Sequence, residues 1–163
     1  MEQKPLSFKE ALQYGQEGEH IVAALCLSQS FSVMTLYQFT ASTAPLILCN
    51  TSSFTSPDLM LWKQGKSWFA EVKRKNQWVR FDGNVETGLN YRHYLEYKSL
   101  SDKTGIPCIL FFIQENEQPT GIYIVDIHNT NTRYWKGMNN DWGIVKQPPM
   151  LFFTSESLTR ITN

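Results

Sequence analysis

Residues 56–76 read SPDLMLWKQGKSWFAEVKRKN, two short apolar runs separated by Gln64-Gly65. A glycine-containing turn between two apolar runs predicts a β-hairpin with strands over 59–62 and 67–73. The first strand follows Asp58, and the second ends in Glu-Val-Lys, where a core strand would normally continue with apolar residues. Charged residues at this point indicate either a strand end in solvent or a site.

Glu71 and Lys73 project from the same face of the predicted strand because residues two apart share a face, while Val72 points into packing. Because the two strands of the hairpin lie side by side, we expect the Asp58 carboxylate within several ångströms of Glu71. Two carboxylates this close repel each other unless a cation neutralises them. Mg²⁺ binds carboxylate and carbonyl oxygens together with water, and it commonly uses only one or two protein carboxylates. The carbonyl of Val72 offers a further oxygen.

Lys73 gives this predicted metal site a chemical function. Its side chain could orient or deprotonate an attacking water, or hold the charge that develops on a phosphate. Two carboxylates, a divalent metal and an ammonium group together predict phosphodiester hydrolysis. The alternative interpretation is that Asp58 caps a turn and that residues 71–76 run out into solvent.

The remaining elements follow from periodicity and from start and stop signals. Ser7 and Glu10 form a capping box that begins a helix extending to about Ser28. The other predicted elements are strands over 31–39, 46–49, 106–114 and 121–127, a second helix over 86–103, and a last short strand or edge element within 150–161. We expect surface loops at 41–44 and 129–140. The order predicts one α/β or α+β domain over residues 1–163 in three layers.

Composition narrows the class of protein. The chain has 163 residues, is 42% hydrophobic and has a formal net charge of zero, which weighs mildly against a nucleic-acid partner unless a basic patch is local. Neither a membrane span nor a signal peptide is indicated, and we expect a cytoplasmic protein. The three cysteines, far apart in apolar runs, predict reduced thiols. Without clustered cysteine or histidine, a zinc nuclease is not expected.

The pattern Pro57-Asp58 followed thirteen residues later by Glu71-Val72-Lys73 resembles the PD-(D/E)XK nuclease superfamily, which has the restriction-endonuclease-like fold and includes archaeal-type Holliday junction resolvases. Two further segments are similar to this superfamily: EGEHIVAALCL at 17–27, like its first helix, and HYLEYKSLSDKTGIPCILFFI at 93–113, like the helix and buried strand that follow its catalytic hairpin. The resemblance covers roughly residues 15–125. It implies a three-layer α/β/α fold with a mixed central sheet and an α-β-β-β-α-β core.

The resemblance also implies a function and a set of site residues. It implies a DNA endonuclease that depends on Mg²⁺ or Mn²⁺, with the metal on Asp58, Glu71 and the Val72 carbonyl and with Lys73 positioning the nucleophile. The Gly-Glu-x-x-Val pattern and the helix face assign the glutamate of the first helix to Glu19, with Glu17 as the weaker candidate. Because two DNA strands must be cut, a homodimer is expected. The alternative is a DNA-binding or protein-interaction module of the same fold without turnover.

Basic residues beside the predicted site suggest where DNA would bind. A basic segment with interleaved aromatic residues follows Lys73, and its charges could neutralise DNA phosphates. A second basic pair, Arg92 and His93, lies near the start of the second helix and could approach the scissile phosphate or the DNA backbone, whereas Tyr97 is expected to pack against the sheet. The alternative is that these charges are only solvated. The residues predicted to contact DNA are Arg74, Lys75, Arg80 and Arg92.

Overall fold

The computed structural model describes residues 7–36, 45–139 and 145–161. The helices are α1 Phe8–Ser28, α2 Tyr91–Thr104 and a short 3₁₀ helix Ser155–Ser157. The strands, in chain order, are β1 Ser32–Thr35, β2 Leu46–Cys49, β3 Ser52–Thr55, β4 Leu59–Lys63, β5 Lys66–Lys75, β6 Val79–Phe81, β7 Asn84–Asn90, β8 Cys108–Gln114, β9 Gly121–Asp126, β10 Thr132–Trp135, β11 Met138–Asn139, β12 Val145–Gln147, β13 Met150–Thr154 and β14 Thr159–Ile161.

A six-stranded mixed sheet forms the centre of the fold, in the order β1-β4-β5-β8-β9-β14. The predicted hairpin is confirmed: β4 and β5 pair antiparallel, and the turn residues Gln64 and Gly65 both have positive φ, 51° and 75°. This geometry suits a two-residue hairpin turn. The predicted buried strand is also confirmed, because β8 lies between β5, to which it is parallel, and β9, to which it is antiparallel.

Helix α1 covers one face of this sheet. The predicted capping box is present, with Ser7 accepting from the Glu10 N–H and the Glu10 side chain accepting from the Ser7 N–H. Val22 and Cys26 on its inner side are buried against a cluster that includes Val72 of β5. Burial of this apolar stripe stabilises the helix far more than its intrinsic propensity does.

The other face is covered by α2 and by a second sheet in the order β10-β13-β7-β6. Tyr97 and Leu100 of α2 lie in the same buried cluster as Phe112 of β8 and Phe153 of β13. The rings of Phe112 and Phe153 are 6.0 Å apart, so they join the two sheets directly. The molecule therefore has three layers, with α1 on one side of the mixed sheet and α2 with the second sheet on the other.

The second helix differs from its prediction at its start. The predicted helix over 86–103 is wrong for its first residues, because residues 84–90 form β7, which pairs with β13. Asn90 then caps α2 by accepting from the Arg92 N–H, and Gly105 ends it with φ of 70°. The β-branched residues Val85 and Thr87, with Gly88 beside them, favour the strand once a partner strand is present.

Smaller differences concern strand ends and loops. The strand predicted over 31–39 is described only at Ser32–Thr35, and residues 37–39, like the predicted loop at 41–44, lie outside the described residues. The loop predicted at 129–140 contains β10 and β11. Residues 150–161, predicted to contain a last short strand or edge element, supply β13 to the second sheet and β14 to the edge of the central sheet. The prediction of an edge element is confirmed for β14.

The remaining predictions concern the cysteines, membrane-spanning helices and the extent of the domain. Cys26, Cys49 and Cys108 are free thiols, as expected. Within the described ranges, neither α-helix is long and apolar enough to span a lipid bilayer. The extent of the domain over 1–163 stays a prediction.

Candidate active site

Successive side chains of β5 point to opposite faces of the central sheet. Phe69 lies in the cluster beneath α2, whereas Ala70 and Val72 lie in the cluster beneath α1. Glu71 and Lys73 therefore project on the α2 side. Asp58 immediately precedes Leu59, the residue paired with Ala70, so the next step of the same register places it opposite Glu71.

The Glu71 carboxylate is buried, with the side chain only 2% exposed. Its Oε1 lies 2.5 Å from the Lys73 ammonium nitrogen. Its Oε2 is buried and has no hydrogen-bond partner. A buried carboxylate oxygen without a partner is costly, so Glu71 has an open position for a proton donor or a cation.

Asp58 is fixed at the point where β4 begins. Its Oδ2 accepts from the Val72 N–H at 2.7 Å, and its carbonyl accepts from the Leu36 N–H at 2.9 Å. Burial first, and then the charge of Glu71, raise the pKa of the Asp58 carboxyl well above its ordinary value. The N–H and C=O of one strand residue leave it on the same side, so the Val72 carbonyl is directed toward Asp58 rather than toward β8.

Helix α1 directs Glu19, and not Glu17, toward this cluster. Burial, and secondarily the Glu71 charge, raise the pKa of Glu19 to about 7, with Lys73 opposing them. Glu17 instead bonds the Arg74 guanidinium at 2.7 Å on the exposed side of the helix. Gly18, between these two residues, lets α1 lie close to β5, because a Cβ added at Gly18 would lie only 3.4 Å from the Arg74 Cβ.

Lys73 is 28% exposed and lies among the acidic groups. Burial lowers the pKa of its ammonium group, but the charges of Glu71, Asp58 and Glu19 outweigh burial and raise it overall. In the metal-free protein Lys73 is therefore a cation at neutral pH. Its ammonium group donates a hydrogen bond to Glu71 Oε1.

The acidic groups fit a divalent cation in part. No group of three or more histidine, cysteine, aspartate or glutamate side chains in the described ranges is arranged to hold a metal ion. Asp58 and Glu71 nevertheless supply two carboxylates, and Glu71 Oε2 is an unsatisfied ligand atom. This donor set suits Mg²⁺, which retains several waters and needs one or two carboxylates.

Two residues of α2 adjoin the cluster: His93, which the sequence suggested could approach the scissile phosphate, and Tyr97, which was expected only to pack against the sheet. Burial, followed by the charges of Glu71 and Asp58 and then by hydrogen bonding with the Glu71 carboxylate, raises the pKa of the Tyr97 phenol. Partial burial and then the Lys73 charge lower the pKa of His93. The two rings are 6.1 Å apart. Their spacing of four residues, which puts them on one helix face, was the available signal.

The residues predicted to contact DNA have different surroundings. Arg74 is 15% exposed and is held by Glu17 and by Glu115, at 2.7 and 2.8 Å, and Arg80 bonds Glu117 at 2.6 Å. Arg92 is exposed on α2. For Lys75, the described residues supply no carboxylate partner. Contact of any of these residues with DNA stays a prediction.

No protein-family model matches the chain, and no curated protein matches it in sequence. Among solved structures it is similar to the Holliday junction resolvase Hjc from Archaeoglobus fulgidus, an archaeal hyperthermophile, with a TM-score of 0.54 and 10% identity. The similarity covers 88% of this chain and 90% of the resolvase. The chain therefore has the α+β, mixed-sheet fold of restriction-endonuclease-like and resolvase structures, and the predicted fold class is confirmed.

Proposed function

We propose that this protein is a metal-dependent nuclease that hydrolyses DNA phosphodiester bonds at the Asp58–Glu71–Lys73 cluster. The observation that carries the proposal is the buried Glu71 carboxylate, with Lys73 on one oxygen and no partner on the other. A protein without chemistry at this position would gain stability from an apolar or fully bonded residue. The resolvase fold, known for this chain only at the level of architecture, supports the same class of activity.

Asp58 and Glu71 would hold Mg²⁺ or Mn²⁺, with the Val72 carbonyl as a further ligand and Glu19 assisting directly or through water. A bound divalent metal would polarise the phosphate and lower the pKa of a coordinated water. The Asp58 Oδ2 bond to the Val72 N–H keeps the first carboxylate oriented. Glu71 Oε2 is the free ligand atom on the second.

Lys73 would stabilise the reacting phosphate. Its ammonium group keeps its proton among the three carboxylates, so it donates to an attacking water or to a phosphate oxygen as negative charge develops. Glu19, with a pKa raised to about 7, is poised to exchange a proton with solvent near neutral pH.

Incubation of labelled duplex, single-stranded and branched DNA with Mg²⁺, Mn²⁺ or EDTA tests the proposal. We expect cleavage by the wild type with metal, loss of at least about a thousandfold in Glu71→Gln and Lys73→Met, and full activity in the control Lys66→Met, an exposed lysine on the same strand. Equal cleavage by all variants would mean that a contaminant cuts the DNA.

The alternative of a DNA-binding or interaction module without turnover is favoured by one observation, the lack of a three-ligand group among the described residues. Retention on DNA that weakens with salt, without cleavage in either metal, would support the binding module. If the protein neither binds nor cleaves DNA, the interaction module is the remaining alternative. A homodimer, suggested only by the need to cut two strands, is checked by sedimentation.

A further inference from the structure

Lys75 continues the row of charged side chains that begins at the proposed active site. It lies on the same side of β5 as Glu71 and Lys73 and is half-buried. Four residues along a strand place it about 13 Å from Glu71, roughly the rise of four base pairs along one DNA strand. A DNA strand that runs from the cluster along β5 would therefore reach Lys75.

The surroundings of Lys75 leave its charge uncompensated. No described carboxylate pairs with it, and burial, with a smaller effect from Lys73, lowers the pKa of its ammonium group to about 8. It is still mostly protonated at pH 7. Gln114, its neighbour in register on β8, is 2% exposed, and neither its amide oxygen nor its amide nitrogen has a partner. Gln114 is thus a buried amide without partners directly beside Lys75, which adds polar hydrogen-bonding capacity next to its charge.

Lys75 also lines a cleft of about 410 Å³ between the central sheet and the second sheet. Trp135 and Phe152 of the second sheet form apolar walls, and Gln77 and Gln147 carry amides that could hydrogen-bond a ligand. The volume falls in the range of about 300–1,000 Å³ typical of small-molecule sites. A nucleotide consists of a phosphate, a base and a sugar. The cation at one wall, the aromatic rings at another and the exposed amides could contact these three parts in that order.

We propose that this cleft receives one unpaired nucleotide of the DNA strand bound at the active site, with its base against Trp135 and a neighbouring phosphate on Lys75. A paired base cannot enter, since its faces are stacked and its Watson–Crick edge is occupied. An unstacked base gains contact with an aromatic side chain irrespective of its sequence. The inference rests on the proposed function and adds a substrate class to it: DNA with an unpaired nucleotide within a few positions of the cut.

The test uses duplexes that carry 2-aminopurine, a fluorescent base, either in a one-nucleotide bulge or paired, with binding measured in EDTA so that no cleavage occurs. We expect the wild type to bind the bulged duplex about tenfold more tightly and to quench the bulged base by stacking. Trp135→Ala should remove both effects and leave affinity for paired DNA within about twofold. Lys75→Met should weaken binding to both duplexes and reduce its salt dependence.

Tyr134→Ala is the matched control, since Tyr134 is the neighbouring aromatic residue on β10 and contacts Tyr91 instead of lining the cleft. It should retain both effects. If circular dichroism shows that Trp135→Ala is unfolded, Trp135→Leu keeps apolar bulk without a stacking face and should give the same loss. Equal wild-type affinity for the two duplexes, or an unchanged preference in both Trp135 variants, would overturn the inference.

The outcomes separate this inference from the proposed function. A wild type that cuts paired and bulged DNA equally, with no change in 2-aminopurine fluorescence, overturns the nucleotide cleft and leaves the nuclease standing. Preferential binding of bulged DNA without cleavage in any metal supports the cleft and contradicts the nuclease. No binding to either duplex in EDTA, together with no cleavage of either duplex in Mg²⁺ or Mn²⁺, overturns both.

Discussion

Replacing Glu19 by glutamine should stabilise the metal-free protein at alkaline pH. The pKa of Glu19 rises from an ordinary 4.5 to about 7 on folding, because burial disfavours its charge and Glu71 repels it. A carboxyl group whose pKa is raised in the folded state opposes folding wherever it is ionised in the unfolded chain. Its destabilising contribution is thus absent below pH 4.5, grows between pH 4.5 and 7, and is complete above about pH 7.

The magnitude follows from the pKa difference. At 1.36 kcal/mol per pH unit, the difference corresponds to roughly 3.4 kcal/mol. Glu19 is only half-buried, and solvent screening reduces this to about 1–2 kcal/mol. For a chain of this size, Glu19→Gln should raise the melting temperature by about 3–6 °C at pH 8.5 and by nothing measurable at pH 4.5.

Thermal denaturation in EDTA across pH 4.5–8.5 measures this difference. Glu17→Gln is the control: its carboxylate bonds Arg74, which lowers the pKa of Glu17, so glutamine there should give no gain at any pH. A melting temperature for Glu19→Gln equal to that of the wild type at pH 8.5, or a gain independent of pH, would refute the reasoning. The first result would mean that Glu19 is solvated and remote from Glu71, and the second that the gain does not come from ionisation of its carboxyl group.

Three further perturbations test the site and the second sheet. Free Mg²⁺ at about 100 times its Kd should stabilise the wild type by about 2.7 kcal/mol and Glu71→Gln much less, as followed by melting temperature; equal stabilisation would place the metal elsewhere. Glu86, 2% exposed, accepts hydrogen bonds from Arg133 through both carboxylate oxygens. Glu86→Ala should therefore cost about 3 kcal/mol in urea unfolding, and a loss below about 1 kcal/mol would contradict a buried pair. A Cβ added at Gly88 would lie 2.1 Å from a β13 carbonyl oxygen, whereas a Cβ added at Gly15 would meet nothing within 4 Å. Gly88→Ala should therefore destabilise the protein by about 3 kcal/mol, and Gly15→Ala should stabilise it by about 0.5–1 kcal/mol. Similar effects at the two glycines would refute the tight packing of β7 on β13.

The sequence predicted the parts of the fold that depend on neighbouring residues. The turn at Gln64-Gly65 and the apolar runs beside it determine the β4–β5 hairpin, and the period of two along β5 places Glu71 and Lys73 on one face. The capping box at Ser7 determines where α1 begins. Each of these features depends on residues within a few positions of one another, which is why a single sequence suffices to predict them.

The parts that the sequence did not predict depend on distant pairing. Residues 86–90 fit a helical pattern through Leu89, and only the partner strand at 150–154 makes them β7. The second sheet was missed for the same reason. The position of α2 over the central sheet, which brings His93 and Tyr97 to the carboxylates, likewise depends on packing against Phe153, a residue some sixty positions away along the chain. Tertiary context of this kind overrides local propensity.

The contact between Phe112 and Phe153 has a consequence for how substrate choice could change over time. Lys75 belongs to the central sheet and Trp135 to the second, so the gap between them depends on how the two sheets pack at these rings. A smaller residue at Phe153, which belongs to the second sheet and not to the β4–β5 hairpin that positions Asp58 and Glu71, could shift that wall of the cleft. Under the proposed function, selection for a different DNA shape could therefore act through a core residue that does not touch nucleic acid.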